Sequence, residues 1–207
     1  EPNSKDTLPV INPANEEVIC DISLGNKFDL DSAVNSARKA FISYSNSSKE
    51  DRLSILDRII SSYKKRMDEL SKAITIEMGA PKTLSEKAQV PSGLGHFMQA
   101  KKILENFSFE KEVNSSIVQK EPIGVCGLIT PWNWPLNQIA CKVAPALAAG
   151  CTMILKPSEE APLSAIILAE IIEEAKLPDG VFNLINGNGR ELGVSMSKHP
   201  GIDMMSF

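Results

Sequence analysis

The chain has 207 residues, of which 43% are hydrophobic and 23% charged, and its net charge is -4. This composition is typical of a globular protein with a substantial core, and no low-complexity tract interrupts it. Lysines and arginines are interspersed with acids and form no basic stripe, which argues against a nucleic-acid partner. The longest apolar run, 143–150, is too short to cross a membrane, and the polar N-terminus shows no apolar segment of a secretory signal, which leaves open only a signal that was already removed. We therefore expect a cytoplasmic protein.

Cysteines and histidines show no pattern typical of metal ligands. The cysteines are Cys20, Cys126, Cys141 and Cys151. They have neither CxxC spacing nor the density of a disulfide scaffold, and the histidines, His96 and His199, lie far apart in the sequence. We predict buried, reduced thiols and no metal site.

The first part of the chain, residues 1–114, is predicted to contain a small hairpin followed by helices. Two β-prone runs, 8–11 and 17–22, flank the turn sequence Asn12-Pro13-Ala14-Asn15. After this hairpin, Asp31 can cap a first helix, because a short acidic side chain accepts hydrogen bonds from the first free N–H groups.

Two further helical patterns follow. Ser48 and Asp51 form a capping-box pattern ahead of a second helix, which is predicted to end at Gly79. The next pattern, 82–107, contains Pro91-Ser92-Gly93, and a proline inside a helix removes a backbone hydrogen bond. We therefore expect a bend or two separate helices there.

The second part, residues 115–207, alternates buried strands with helices. A first strand at 117–120 precedes this alternation. The alternating strands are predicted at 123–129, 152–155, 181–185 and 204–207. The helices are predicted at 135–150, with a local kink at Pro145, at 162–177, and after the glycine-rich loop 186–193. This alternation predicts an α/β fold, with a Rossmann-like parallel, doubly wound sheet preceded by a helical N-terminal segment.

Ligands in such sheets bind beyond the carboxyl ends of the strands, which places any site in the loops 130–135, 156–160 and 186–193. Glu159 follows Asn133 by 26 positions (159 minus 133), near the spacing of about 20 residues at which dinucleotide folds place a ribose-binding acid. A carboxylate binds vicinal hydroxyls and repels a 2′-phosphate, so Glu159 favours NAD over NADP. Lys156 can donate to the same ribose.

A simpler interpretation of these two residues is equally compatible with their spacing. Glu159 could lie in the first turn of a helix for no other reason than that the helix macrodipole favours an acid there. Lys156 can extend to solvent and bury only its aliphatic stem. The spacing alone leaves both interpretations open.

The loop 130–135 lacks the GxGxxG fingerprint, so a standard pyrophosphate site is not predicted there. Two tryptophans and two prolines surround Asn133 and make the loop stiff, as a catalytic hydrogen-bond donor requires. Alternatively, Asn133 only makes a turn. Gly187, Gly189 and Gly193 permit close approach of the backbone to a ligand, although such a pattern is weak by itself.

Together these motifs closely resemble the aldehyde dehydrogenase superfamily. The motifs are Pro122-Ile123-Gly124, Ile129-Thr130-Pro131-Trp132-Asn133-Trp134-Pro135, Ala144-Pro145-Ala146-Leu147-Ala148-Ala149-Gly150 and Leu155-Lys156-Pro157-Ser158-Glu159. Flanking matches are Asn12-Pro13-Ala14, Glu77-Met78-Gly79, Pro178-Asp179-Gly180-Val181 and Asn186-Gly187. The resemblance therefore covers essentially the whole chain and is highly specific.

The resemblance implies NAD-dependent oxidation of an aldehyde to the carboxylic acid through a cysteine thiohemiacetal. Asn133 matches the family's oxyanion-binding asparagine, and Lys142 matches a lysine kept near the active site. The residues implied to bind the cofactor are Ile129, Thr130, Pro131, Trp132, Lys156, Ser158, Glu159, Gly189 and Gly193. NADP is a less favoured cofactor than NAD.

The same resemblance places the nucleophilic cysteine and the general-base glutamate beyond Phe207, and the four cysteines match structural positions. We therefore expect a single partial cofactor-binding domain over 1–207, without its catalytic domain and inactive by itself. The alternative is a catalytically inert nucleotide-binding or structural fragment. Retention of Asn133 with the Lys156/Glu159 pair favours the enzyme, and an unrelated Rossmann-type redox protein would require the long match to be chance.

Substrate and assembly are implied only in outline. Residues 88–103 and 136–142 are expected at the mouth of the aldehyde tunnel and suggest a small or medium aldehyde. The parent protein is expected to be a homodimer or homotetramer, with a hairpin near 108–121 contributing to assembly.

Overall fold

In the computed structural model, which describes residues 2–207, the chain begins with an antiparallel hairpin of β1 (Thr7–Ile11) and β2 (Val18–Ser23), as predicted. Helix α1 (Lys27–Tyr44) follows, and the prediction that Asp31 caps it is wrong. The cap is Asn26, whose side chain accepts from the N–H groups of Phe28 and Asp29 while the Asp29 carboxylate accepts from the Asn26 N–H. This reciprocal pair starts the helix one turn earlier than predicted.

The predicted second helix is two helices, α2 (Lys49–Lys65) and α3 (Met67–Met78). The capping box of Ser48 and Asp51 at the start of α2 is confirmed. The continuous helix to Gly79 is wrong, because Arg66 leaves the helical conformation (φ -108°, ψ 14°). Gly79 ends α3 in the left-handed conformation (φ 72°), as glycine does at low cost.

The third helical pattern divides earlier than predicted. A short turn, α4 (Lys82–Leu84), leads into a π-helical turn, Ser85–Gln89, and then α5 (Val90–Asn106) runs without interruption through Pro91. Pro91 is the second residue of α5 and directly follows the π-helical turn, so the helical pattern is divided just before this proline, in agreement with the predicted separation into two pieces.

A second hairpin, β3 (Glu110–Val113) and β4 (Ser116–Gln119), stands apart from the other strands. Its eight residues are all exposed, including Ile117 and Val118.

The remaining elements form the predicted parallel α/β unit. They are β5 (Val125–Ile129), α6 (Pro135–Ala149), β6 (Thr152–Lys156), α7 (Leu163–Glu174), β7 (Phe182–Leu184), a π-helical turn (Gly189–Gly193), α8 (Val194–Lys198) and β8 (Met204–Ser206). The strand order is β7-β6-β5-β8, with every pair parallel. The chain therefore moves outward from β5 to β7 and returns to the other side of β5, which creates a topological switch point between β5 and β8.

Helices cover both faces of this sheet. Along β6, Ile154 packs in a cluster with Leu30 and Val34 of α1, whereas Met153 and Leu155 pack in the cluster that contains α6 and α7. Side chains on both faces of the strand are therefore buried, which explains why the strands appear in the sequence as continuous apolar runs. The first helix is thus part of the sheet's own core.

Arg52 on α2 joins several elements and is only 6% exposed. Its guanidinium donates to the carbonyl oxygens of Ser45 (3.0 Å) and Ser47 (2.9 Å), just after α1, and to that of Ala148 (3.4 Å) in the last turn of α6. It also lies 5.5 Å from the centre of the Phe109 ring. A cation is favoured there because unpaired carbonyls make helix C-termini negative.

The cysteines only partly follow the prediction. All four are free thiols, and Cys126 and Cys151 are buried, but Cys20 and Cys141 are half-exposed. Cys141 lies near the start of α6 on its less buried side, which periodicity alone did not resolve. Within residues 2–207, no group of three or more His, Cys, Asp and Glu residues is placed to hold a metal ion, and no helix is long and apolar enough to span a membrane.

Candidate functional site

The three predicted loops follow β5, β6 and β7 and therefore lie at the same, carboxyl edge of the sheet. The first two loops touch directly, since the Thr130 N–H donates to the Lys156 carbonyl oxygen at 3.2 Å. This edge borders the switch point, where open α/β sheets bind ligands.

A lysine and a glutamate form the centre of this edge. Lys156 is 1% exposed, and its Nζ donates to Glu159 Oε2 at 2.9 Å and to the Pro157 carbonyl oxygen at 3.0 Å. The other carboxylate oxygen, Glu159 Oε1, accepts from the Gly189 N–H at 3.1 Å. Glu159 thus links the loop after β6 to the loop after β7, and Lys156 does not extend to solvent as the simpler interpretation supposed.

The surroundings of Glu159 favour its charged form. Although partial burial opposes ionisation, hydrogen bonds from Lys156 and from the Gly189 N–H hold the pKa of Glu159 below its usual range. The site therefore presents a carboxylate at neutral pH, which can accept but not donate hydrogen bonds.

Two glycines keep the space beside this pair free of side chains. A Cβ atom at Gly189 would lie 3.5 Å from Glu159 Oε1, and one at Gly193 would lie 3.6 Å from Cδ1 of Ile129. The predicted residues Ile129, Lys156, Glu159, Gly189 and Gly193 are therefore brought together, in a cradle that larger side chains would fill. The carboxylate and ammonium groups there could accept hydrogen bonds from, and donate them to, the hydroxyl groups of a ligand.

Asn133 lies in the exposed loop between β5 and α6. Its carbonyl oxygen accepts from Gln89 Nε2 at 3.4 Å, which attaches the loop to the π-helical turn. Within residues 2–207 its side-chain amide makes no hydrogen bond, so both N–H donors are available to a ligand. The geometry is that of an unoccupied donor on an anchored loop.

Three other predicted residues make no hydrogen bond to the Lys156–Glu159 pair within the part of the chain that the structure describes. Ser158 Oγ accepts from the Glu160 N–H at 3.2 Å, and thereby shapes the loop. Pro131 and Trp132 are exposed next to Asn133.

Glu77 on α3 is a buried residue whose role the sequence did not predict. It is 2% exposed, and its carboxylate accepts from the N–H groups of Leu163 (2.5 Å) and Ser164 (3.1 Å), the first two residues of α7. Burial raises the pKa of Glu77 to about 7, against the opposing effect of these N–H donors. Glu77 continues the apolar stripe of Leu70 and Ile74, so a carboxylate on a core-facing position was the available signal.

Two more polar side chains border the site: Gln89, which was not assigned a role, and Lys142, which the resemblance implied. Gln89 is 1% exposed, and its Nε2 contacts both the Asn133 carbonyl oxygen and the Met78 sulfur at 3.4 Å. Lys142 on α6 donates to Ser206 Oγ at 2.8 Å, at the end of β8 and therefore beside the switch point. The proximity of Lys142 to the active site, which the family resemblance implies, stays a prediction.

Comparison with known proteins gives one consistent result. A family model described as the aldehyde dehydrogenase family matches residues 1–207. A 3-succinoylsemialdehyde-pyridine dehydrogenase from a Pseudomonas species is 54% identical over 199 residues, which cover 96% of this chain and 42% of the relative.

Solved structures agree with the sequence relatives. Aldehyde dehydrogenase C from Pseudomonas syringae, a cysteine-to-alanine mutant with NAD+ and octanal, has a TM-score of 0.97 and 47% identity. The match covers 99% of this chain and 42% of that one. Betaine aldehyde dehydrogenase from Staphylococcus aureus with NAD+ has a TM-score of 0.95 and 37% identity, covering 100% of this chain and 42% of that one. The chain therefore spans less than half the length of these relatives.

Proposed function

Because the chain belongs to the aldehyde dehydrogenase family, we propose that it supplies the cofactor-binding part of an NAD-dependent enzyme that oxidises aldehydes to carboxylic acids. The observation that carries this proposal is the ion pair of the buried Lys156 with the partly exposed Glu159 at the carboxyl edge of the sheet, beside Gly189. Solved relatives that bind NAD+ support the choice of cofactor. Residues 1–207 act in this proposal as one partial cofactor-binding domain in the cytoplasm.

The residues at this edge fit the adenosine ribose of NAD. The Glu159 carboxylate would accept hydrogen bonds from the two vicinal hydroxyls, and the Lys156 ammonium would donate to one of them. A 2′-phosphate in the same place would meet the negative charge of Glu159. NAD is therefore favoured over NADP.

In the reaction, a bound NAD would supply the acceptor for the hydride that leaves the aldehyde carbon. Asn133 would donate its side-chain N–H to the aldehyde oxygen as negative charge develops on that oxygen during nucleophilic attack. Because the loop is fixed by Gln89 and by the start of α6, this donor needs little rearrangement. We infer that the nucleophilic cysteine and the general base belong to the catalytic domain of the longer protein.

Substrate and assembly are part of the same proposal. One relative is named for 3-succinoylsemialdehyde-pyridine and another was solved with octanal, which supports a medium-sized aldehyde. Its tail would follow the facing sides of α5 and α6, where Asn137 Nδ2 and His96 Nε2 lie 3.0 Å apart. The exposed β3–β4 hairpin would contact a second copy in a dimer or tetramer.

NAD-dependent oxidation of octanal by the full-length protein tests the function. We expect NADH to form with octanal and NAD, and NADPH to form much more slowly with octanal and NADP. An intact, folded full-length protein that bound NAD but oxidised no aldehyde would favour the inert nucleotide-binding alternative instead.

Replacing Glu159 by glutamine is expected to raise the KM for NAD by about tenfold, the cost of losing a charged hydrogen-bond acceptor. The KM for NADP should rise less or fall, because the repulsion of its 2′-phosphate disappears. Steady-state kinetics with both cofactors measures the change. The matched control is Glu160→Gln, which alters the adjacent, exposed glutamate. Unchanged NAD selectivity in the Glu159 variant would disprove the ribose assignment.

A further inference from the structure

The start of helix α7 has an unusual source of stabilisation. Its N-cap residue, Pro162, provides no side-chain hydrogen bond, although free N–H groups at a helix start need acceptors. Glu77 supplies them from α3, with one carboxylate oxygen on the Leu163 N–H and the other on the Ser164 N–H. The acceptor thus comes from 86 positions earlier in the chain.

This contact fixes one end of the loop that carries Glu159. The loop leaves β6 at Lys156, whose Nζ holds both the Pro157 carbonyl oxygen and the Glu159 carboxylate. It enters α7 at Leu163, four residues after Glu159. The loop is short, so a displacement of the start of α7 must be passed on to the Glu159 backbone.

We propose that Glu77 is a positioning residue for the cofactor: by binding the first N–H groups of α7 it holds Glu159 where it meets the ribose hydroxyls. The inference rests on the proposed function, since it assumes that Glu159 binds the ribose. Glu77 is almost fully buried, and within residues 2–207 it makes hydrogen bonds to Leu163 and Ser164 but to no residue of the cradle. It therefore acts through α7 and does not contact the cofactor.

The two variants that test this role are Glu77→Gln and Glu77→Asp, each made in the full-length protein. Glutamine keeps one oxygen acceptor but directs an NH₂ group at a backbone donor. Aspartate keeps the carboxyl group and is one methylene shorter, so it cannot reach both N–H groups unless α7 moves. The matched control is Glu86→Gln, on an exposed glutamate of the adjacent π-helical turn, whose ion-pair distance to Lys82 is 3.7 Å.

The readout is the ratio of kcat/KM for NAD to kcat/KM for NADP, because this ratio does not depend on the fraction of folded enzyme. We expect both Glu77 variants to lower the ratio by about fivefold, roughly the loss of part of one charged hydrogen bond, with the KM for the aldehyde unchanged. Glu86→Gln should leave the ratio at the wild-type value. If the glutamine variant does not fold, the aspartate variant decides the outcome.

Glu159→Gln, measured in parallel, separates the two proposals. A reduced ratio in Glu159→Gln with a wild-type ratio in the Glu77 variants overturns the positioning role and leaves the ribose assignment intact. A lower melting temperature or a lower kcat in the Glu77 variants, without a change in the ratio, likewise reduces Glu77 to a structural helix cap. An unchanged ratio in Glu159→Gln overturns both.

Discussion

Replacing Asn133 by alanine is expected to lower kcat for aldehyde oxidation by about a hundredfold or more, the typical cost of removing one preorganised oxyanion donor. The side-chain amide of Asn133 has no hydrogen-bond partner in the described part of the chain, while its backbone is anchored by Gln89. The alanine variant therefore removes the donor and keeps the loop anchor. The affinity for NAD should stay near its wild-type value, because the ribose-binding pair lies in a different loop.

Single-turnover and steady-state kinetics in the full-length protein measure this effect. Asn133→Asp is a second variant of almost the same shape, in which a negative charge replaces the donor, and we expect it to be at least as slow. Asn46→Ala, on an exposed asparagine far from the site, is the control for handling and folding. A kcat within about threefold of wild type in Asn133→Ala would mean that Asn133 only makes a turn, the alternative that the sequence left open.

Replacing Arg52 by alanine is expected to reduce the free energy of unfolding by about 3 kcal/mol or more. The loss combines unpaired buried carbonyl groups with a cavity where the side chain was. The carbonyl oxygens of Ser45, Ser47 and Ala148 would lose their donor together. Because the shift in melting temperature per kcal/mol decreases with chain length, we expect a decrease of only a few degrees in the full-length protein.

Chemical denaturation of the full-length protein measures the change. Arg52→Lys should recover only part of the stability, because an ammonium group cannot donate in the fork geometry of a guanidinium. Arg58→Ala is the matched control on the same helix: Arg58 is exposed and its Nε donates to the Ala175 carbonyl oxygen, so its loss should cost about 1 kcal/mol. Equal effects of the two alanine substitutions would show that Arg52 contributes no more to the stability of the fold than the exposed Arg58.

Those parts of the fold that depend on local patterns were predictable from the sequence. The capping box of Ser48 and Asp51, the helix end at Gly79 and the alternation of strands and helices in 115–207 were confirmed. Each depends on residues that are close in sequence, so the pattern itself contains the information. The wrong helix start at Asp31 shows the limit, because two residues with cap-forming side chains compete there.

Long-range contacts explain where local patterns failed. Asn26 prevails as the cap in a region where the Gly25 N–H donates to the Asn186 carbonyl oxygen and holds the chain against the loop after β7. The break between α2 and α3 at Arg66 likewise coincides with ion pairs to Glu170 and Glu174 on α7. Neither Asn186 nor the two glutamates of α7 can be identified as contact partners from the spacing of residues in one sequence.

In the candidate site too, contacts between residues close in sequence were predictable and long-range contacts were not. Lys156 and Glu159 are three positions apart after a buried strand, so their proximity was predictable, and the structure joins them at 2.9 Å. The hydrogen bond that Glu159 accepts from the Gly189 N–H was not predictable, and neither were the contacts of Glu77 with α7. These contacts connect elements that are far apart in the sequence. The sequence did show an acid on an apolar helix face, which requires a buried partner without saying which one.

The position of α1 has a consequence for how the protein folds during synthesis. The carbonyl oxygen of Ala37 on this helix accepts from Thr152 Oγ1 on β6, 115 positions later, and the helix leaves the ribosome long before that strand. Its apolar face, with Leu30 and Val34, must remain uncovered until the strands emerge. Packing of this face must therefore wait until β6 has been translated, and until then the nascent chain exposes an apolar surface of the kind that promotes aggregation.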